Sequence, residues 1–358
     1  MKPTTHHATR RFNRESAAIF LSLAFLALLI FLFGCASPGT KDSANQEAIR
    51  KITDDACDFA QKALNPAAMC VIVTEPQTGR ILAMKGDAVR FLTEPVSTFK
   101  PFMMVAALEK GKITPQTKID CGSGAFQFGN FTIKDYIPLG ELPCDKVLAK
   151  SSNIGITKIA MLLDDQDFYD SARRFAFGQK TGIAVPGEIP GILHPPAKWG
   201  GQSKARMAIG QSLAVTPIQI AMAYGALANG GKLMKPVLAG EQPRCVERVC
   251  SPKTARFVRN ALQLCASDSG AAPLAQVEGV PVGGKSGTAQ AITPRGQYDP
   301  GNYITMFAGF FPVERPKYVV VVVIDKADLP PGRNYGGMVA APIFSEIAKK
   351  ISALPNLR

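Results

Sequence analysis

Six consecutive β-branched residues, Val319 to Ile324, lie between Tyr318 and Asp325. A strand covered on one side alternates apolar with polar residues. This run has no polar face, so it belongs at the centre of a sheet with layers on both sides. Residues 303–311 read as a second strand, and residues 70–74 and 80–85 as a hairpin around the turn Pro76-Gln77-Thr78-Gly79. Helical spacing covers residues 45–64, with Ile49, Ile52, Ala56 and Phe59 on one side. It recurs over 97–110, closed by Gly111, and over 144–163, 167–175 and 338–351. Thr216-Pro217-Ile218-Gln219 opens a further helix, because threonine caps, proline suits the first helical position and glutamine completes a capping box. That helix should end at Asn229-Gly230-Gly231. The order of elements predicts an α/β chain of the α+β kind. Its sheet is flanked by the terminal helices, and an all-helical subdomain, roughly 97–235, is inserted between the strands.

Lys2, Arg10, Arg11 and Arg14 precede an apolar run over residues 17–33. The run falls just short of the roughly 20 residues that span a bilayer. Positive charge ahead of it places the N-terminus in the cytoplasm and the rest of the chain outside. Leu32-Phe33-Gly34-Cys35 resembles a lipoprotein cleavage box, which would leave Cys35 acylated; an uncleaved anchor helix is the alternative. On either reading residues 1–35 attach an exported domain to the membrane, and residues 36–44 read as a tether. Disulfides persist in that compartment. Among eight cysteines two local pairs stand out, Cys121 with Cys144 and Cys245 with Cys250, the latter flanking a short hairpin. Each pair is either a bridge or two buried thiols.

The net charge of +13 is spread over scattered Lys and Arg with no run of five, so nucleic acid is not an expected partner. Two of the three histidines fall in the leader, which leaves no basis for a His-rich metal site. His194, in Leu193-His194-Pro195-Pro196, reads as a surface loop and Trp199 as packing.

Ser97-Thr98-Phe99-Lys100-Pro101 places a hydroxyl and an amine three residues apart, on one face of a helix. Pro101 is tolerated only near a helix start, so Ser97 sits at the N-terminal end, where the helix dipole favours developing negative charge. A lysine among apolar neighbours and other cations loses proton affinity and can act as a base. Alone the pattern is common by chance. Ser151-Ser152-Asn153 and Lys285-Ser286-Gly287-Thr288 follow it, and SxxK, SxN and K-S/T-G in that order resemble penicillin-binding proteins and class A β-lactamases. The hairpin from Val73 to Met84, Phe177-Gly178-Gln179-Lys180-Thr181-Gly182, Ala208-Ile209-Gly210-Gln211 and Tyr335-Gly336-Gly337 extend the likeness. Over residues 45–351 the chain resembles the transpeptidase domain of class B penicillin-binding proteins, the division-type branch above all.

The resemblance implies the penicillin-binding/β-lactamase-like fold over residues 45–353, with an antiparallel sheet and a short tail, 354–358. It implies D,D-transpeptidation of peptidoglycan stem peptides, drawn from lipid-linked precursors, and inhibition by β-lactams. Ser97 would be the nucleophile, Lys100 its base, Ser151 a proton donor to the leaving amine, and Asn153 a support for Lys100. Lys285, Ser286 and Thr288 would hold the substrate carboxylate, with Gly287 letting the substrate lie along this strand. The backbone N–H groups of Ser97 and Thr288 would form the oxyanion hole, and no metal or cofactor is required. The usual N-terminal pedestal domain has no counterpart between Cys35 and residue 45. That puts in doubt the partners it serves, a glycan-polymerising membrane protein or a division protein. Val96 stands where glycine is common, and residues 86–93 form a shorter segment than in the family. The second motif is SSN, and no Glu-x-x-Leu-Asn segment supplies a deacylating glutamate, which argues against a β-lactamase. A D,D-carboxypeptidase and a non-catalytic β-lactam receptor or scaffold are the alternatives.

Overall fold

The computed structural model describes residues 38–292, 297–330 and 332–355. The leader, Cys35 and the last three residues of the tail therefore lie outside the described residues. Among those described, no helix is long and apolar enough to cross a membrane. The chain divides into two compact units, Met1–Glu47 and Ala48–Arg358, and the second holds every sheet and every helix after α1 (Pro38–Leu64). That helix takes in most of the expected tether; proline at its start lacks only an N–H that would have no intrahelical partner.

Five strands form one antiparallel sheet: β1 (Ala68–Glu75), β2 (Arg80–Lys85), β9 (Gly283–Ile292), β10 (Tyr298–Phe311) and β11 (Tyr318–Asp325). Their order is β2-β1-β11-β10-β9, so the six-residue apolar run is central, as its composition requires. Val322 pairs with Val71 on one side and Phe307 on the other. Successive residues of β11 serve two cores. Val320, Val322 and Ile324 pack with Ile49, Ala56 and Ala60 of α1 and with Phe344, Ile347 and Ile351 of α9 (Gly336–Ser352). Val319, Val321 and Val323 face the opposite layer, built on α2 (Lys100–Glu109) and α7 (Pro217–Ala228). Burying each valine contributes about 1.5–3 kcal/mol, an upper estimate that ignores residual burial in the unfolded chain. The stripe on α1 differs from the expected one in its last member: Phe59 is 71% exposed, and Cys57 and Ala60 take the inner positions.

The insertion runs from residue 86 to 282, further than the expected 97–235, and it is not all-helical. Besides α2 and α7 it contains α3 (Cys144–Ala149), α4 (Asn153–Met161), α5 (Asp165–Arg174), α6 (Ser203–Ala208) and α8 (Pro252–Cys265). Three two-stranded ribbons lie among them: β3 (Lys118–Asp120) with β6 (Glu141–Pro143), β4 (Ala125–Phe128) with β5 (Phe131–Lys134), and β7 (Lys232–Met234) with β8 (Cys245–Arg248). Strands of three or four residues are too short to leave a periodic signal. Helix α8 has no counterpart in the sequence-based reading. Yet Ser251 caps it, Pro252 opens it, and Ala255, Val258, Ala261, Leu262 and Cys265 form its buried stripe.

Of the two alternatives open for each cysteine pair, the bridge does not form, and the ribbon registers explain why. Cys144 donates its backbone N–H to Thr117 and Cys121 donates its own to Gly140, so the two cysteines sit at opposite ends of the β3–β6 ladder. Four extended residues separate them by about 13 Å, against a limit of about 7 Å between bridged Cα atoms. Cys245 opens β8 and Cys250 lies just past its end, on the same side of the ribbon rather than across a hairpin: Cys245 pairs with Met234, and Val249 bonds to Gly231. All seven described cysteines are free thiols.

Helix α7 starts with the predicted capping box, and Gln219 does more than close it. Its side chain is fully buried, and its Nε2 donates to the carbonyls of Ala176, Gln179 and Pro190 at 2.7–2.9 Å, joining two loops to the helix start. Gln219→Leu preserves volume but strips these carbonyls of their donor. Urea denaturation should show a loss of about 2–4 kcal/mol; a loss below 1 kcal/mol would mean water replaces the amide.

Candidate active site

Ser97 lies in a 3₁₀ turn, Val96–Phe99, that feeds directly into α2, with Pro101 in the first helical turn. Two features fix this turn. Val96 has φ +41°, a conformation costly for a β-branched residue. Its N–H bonds to the carbonyl of Gly210 at 2.9 Å, and a Cβ on Gly210 would stand 2.0 Å from the Val96 oxygen, so only glycine allows the two chains to meet. On the inner side the buried Tyr224 hydroxyl donates to the Thr98 carbonyl at 3.0 Å. Gly287 of β9 is a second close approach: its Cβ would fall 2.9 Å from Val96 and 3.2 Å from the Pro95 oxygen. The residue expected to make room for substrate thus also lets the strand approach the serine turn.

The stretch read as one helix over 144–163 is broken into α3 and α4 by Ser151, which takes φ +58°. This break brings SxN into the site. Lys100 is wholly buried, and its Nζ lies 2.5 Å from the Ser151 carbonyl, 2.6 Å from Asn153 Oδ1 and 3.1 Å from Ser151 Oγ. Ser151 Oγ is in turn 3.3 Å from Ser97 Oγ. Asn153 Nδ2 donates to the Lys134 carbonyl at 2.8 Å, which fixes the amide with its oxygen toward the lysine. Lys285 projects from β9, also buried, with Nζ 3.1 Å from the Ser286 carbonyl. Thr288 Oγ1 accepts the N–H of Gly336 at 2.9 Å, which leaves its own hydrogen free to donate.

Burial, and then the neighbouring Lys285 cation, hold Lys100 well below the usual lysine range; Asp135 and the Cys265 thiol pull the other way. Burial also lowers Lys285. Cys265 is pushed up to about 11 by burial, against the pull of the two lysines. Nζ donates to the Ser151 carbonyl, to Asn153 Oδ1 and to Ser151 Oγ, and the Ser151 hydroxyl donates in turn to Ser97 Oγ. Lys100 therefore reaches Ser97 through Ser151 rather than by the direct Ser97–Lys100 contact expected from their spacing.

Ser97, Ser151, Asn153 and Lys285 to Thr288 all line one cleft of about 700 Å³. Its rim carries exposed apolar side chains, Tyr136, Ile137, Leu274, Tyr335 and Met338. His194 does not line it; its carbonyl accepts from Trp199 Nε1, and that indole packs edge-on against Phe168 at 5.5 Å. Sequence reasoning missed Asp135, Lys150, Tyr224 and Cys265. Lys150 and Tyr224 fall in expected helices and Asp135 and Cys265 in unremarked segments, and none has a spacing to a partner that would single it out.

A family model described as the penicillin binding protein transpeptidase domain matches residues 69–349. The chain belongs to the penicillin-binding protein transpeptidase family. Within it the similarity falls on the class B, division-type branch. The Pseudomonas aeruginosa protein named "Probable peptidoglycan D,D-transpeptidase PbpC" is 34% identical over 318 residues, covering 81% of this chain and 55% of its own. Escherichia coli peptidoglycan D,D-transpeptidase FtsI is 31% identical, covering 77% and 46%. The chain thus spans about half the length of the curated relatives it matches. The apo transpeptidase domain of Burkholderia pseudomallei penicillin-binding protein 3 superposes with a TM-score of 0.80 at 35% identity, covering 86% of this chain and 94% of that one.

Tyr224→Phe removes the only side-chain donor described for the Thr98 carbonyl. We expect a loss of about 1–3 kcal/mol in stability and slower labelling of this penicillin-binding domain by fluorescent penicillin, read by gel fluorescence against time.

Proposed function

We propose that this chain is a serine acyltransferase that cross-links peptidoglycan stem peptides by D,D-transpeptidation. The observation that carries this is the contact chain Ser97–Ser151–Lys100 at 3.3 and 3.1 Å, closed by Asn153, in the cleft edged by β9. The Ser97 proton passes through the Ser151 hydroxyl to neutral Lys100 as Oγ attacks the carbonyl between the two terminal D-alanines. The backbone N–H groups of Ser97 and Thr288 hold the oxyanion. The C–N bond then breaks, the proton returns through Ser151 to the departing D-alanine amine, and an acyl-enzyme remains. An amine from a second stem attacks the ester and regenerates Ser97. β9 is an edge strand of the sheet, so the donor peptide adds alongside it. Its terminal carboxylate meets Lys285, Ser286 and the free O–H of Thr288.

Residues 1–35 would anchor this domain outside the cytoplasmic membrane, close to lipid-linked precursors, with Cys35 acylated or the segment left as a helix. A glycan-polymerising or division protein is the corresponding partner class, and β-lactams acylate Ser97 as mimics of the donor.

Fluorescent penicillin should label the protein stoichiometrically at Ser97, located by peptide mass spectrometry, and Ser97→Ala should abolish labelling. Lys100→Ala should slow acylation at least about 100-fold. Pentapeptide donor with an amine acceptor should give the joined product; tetrapeptide alone would assign a carboxypeptidase instead. Acylation needs neutral Lys100, so its rate rises as pH passes through that lysine's lowered pKa. Lys285→Gln removes a repelling cation and raises the pKa of Lys100, so the acid limb of the pH–rate profile should move to higher pH.

A further inference from the structure

Asp135 follows β5 and lines the cleft beside the serine. No spacing in the sequence connects it to the three motifs, but its carboxylate receives three donors from the second of them. Oδ1 accepts the backbone N–H groups of Asn153 at 2.5 Å and Ile154 at 3.2 Å, and Oδ2 accepts the Ser152 hydroxyl at 2.5 Å. Ser152 Oγ accepts the N–H of Gly155 at 2.8 Å, so the first turn of α4 has its free N–H groups satisfied by Asp135 and Ser152 together. The adjacent Lys134 carbonyl holds Asn153 Nδ2. Residues 134 and 135 thus fix both the main chain and the side chain of Asn153.

Charge gives Asp135 a second role. The charged or ionisable groups acting on Lys100 are Lys285 from β9, the Cys265 thiol from α8 and Asp135 from the end of β5; its remaining contacts, Ser151 and Asn153, are neutral. Asp135 is the one carboxylate of this set among the described residues. We propose that Asp135 is a positioning residue for acylation: it locks the Ser152–Asn153 corner so that Ser151 and Asn153 face Lys100, and it supplies a negative charge beside the buried Lys100 amine. This rests on the reading of Lys100 as the base. A plain helix cap would share the hydrogen bonds but would not set the protonation of a residue on another element.

The two roles separate by substitution. Asp135→Asn keeps an oxygen that can accept the Asn153 and Ile154 N–H groups but removes the charge; Asp135→Ala removes both. Acylation by fluorescent penicillin is followed against pH for the wild-type protein and both variants, with melting temperatures alongside. In Asp135→Asn the loss of negative charge makes Lys100 shed its proton more readily, so the acid limb should shift to lower pH, opposite to Lys285→Gln. Asp135→Ala should slow acylation at the plateau by on the order of 10- to 100-fold through misplacement of Asn153. An Asp135→Asn profile with the wild-type midpoint overturns the electrostatic role even if the melting temperature falls. Wild-type plateau rates in Asp135→Ala overturn the positioning role. If Asp135→Ala does not fold, the Asp135→Asn midpoint decides alone. Absence of Ser97 labelling in the wild-type protein would instead sink the proposed function, and this inference with it.

Discussion

Two lysine amines sit out of water within one site, and the surrounding architecture answers to that fact. Moving an ammonium group from water into a protein interior costs several kcal/mol even after relaxation. Asp135 partly opposes the cost at Lys100, and the Cys265 thiol acts on both lysines. Burial and the Lys285 cation lower the proton affinity of Lys100, and the Ser151 carbonyl, Asn153 Oδ1 and Ser151 Oγ accept from its amine. The burial that costs stability also makes the unprotonated amine easier to reach, which the proposed mechanism requires.

Backbone strain is placed to serve the same end. Val96 and Ser151 both adopt left-handed conformations, one immediately before the serine and one inside the second motif. Each is held by contacts that come from elsewhere in the chain: Gly210 against Val96, and Lys100, together with the 134–135 segment through Asn153, around Ser151. Residues 148–150 are further braced by α8 and the loop after it. Cys265 Sγ donates to the Leu148 carbonyl, Ala271 N–H to Ala149, and Lys150 Nζ to Ser269. A site assembled from several loops gains its rigidity from such cross-links rather than from any single element.

The sheet shows how far one-dimensional pattern reaches. The run at 319–324 placed β11 at the centre with both faces covered, because no alternative buries six β-branched side chains. Thr216 to Gln219 marked a helix start through capping chemistry that acts within four residues. Both signals are local, and both survived folding unchanged. The ribbons of the insertion and helix α8 left weaker traces, and the cysteine pairs left a misleading one: closeness in sequence suggested bridges, whereas the registers of β3–β6 and β7–β8 hold the thiols apart.

The site divides in the same way. Sequence by itself supplied the three motifs, a serine and a lysine at helical spacing, SxN and K-S-G-T, and the chemistry expected of them followed from the family they resemble. It also determined that the serine stands at a helix start, because proline tolerates few positions. Only the tertiary structure decided that the lysine reaches the serine through Ser151, that Gly287 admits the serine turn against β9, and that Asp135 holds the second motif. Those facts depend on distances between residues tens to hundreds of positions apart. Such distances are set by how the sheet, the helices and the inserted ribbons pack, and no local spacing encodes them.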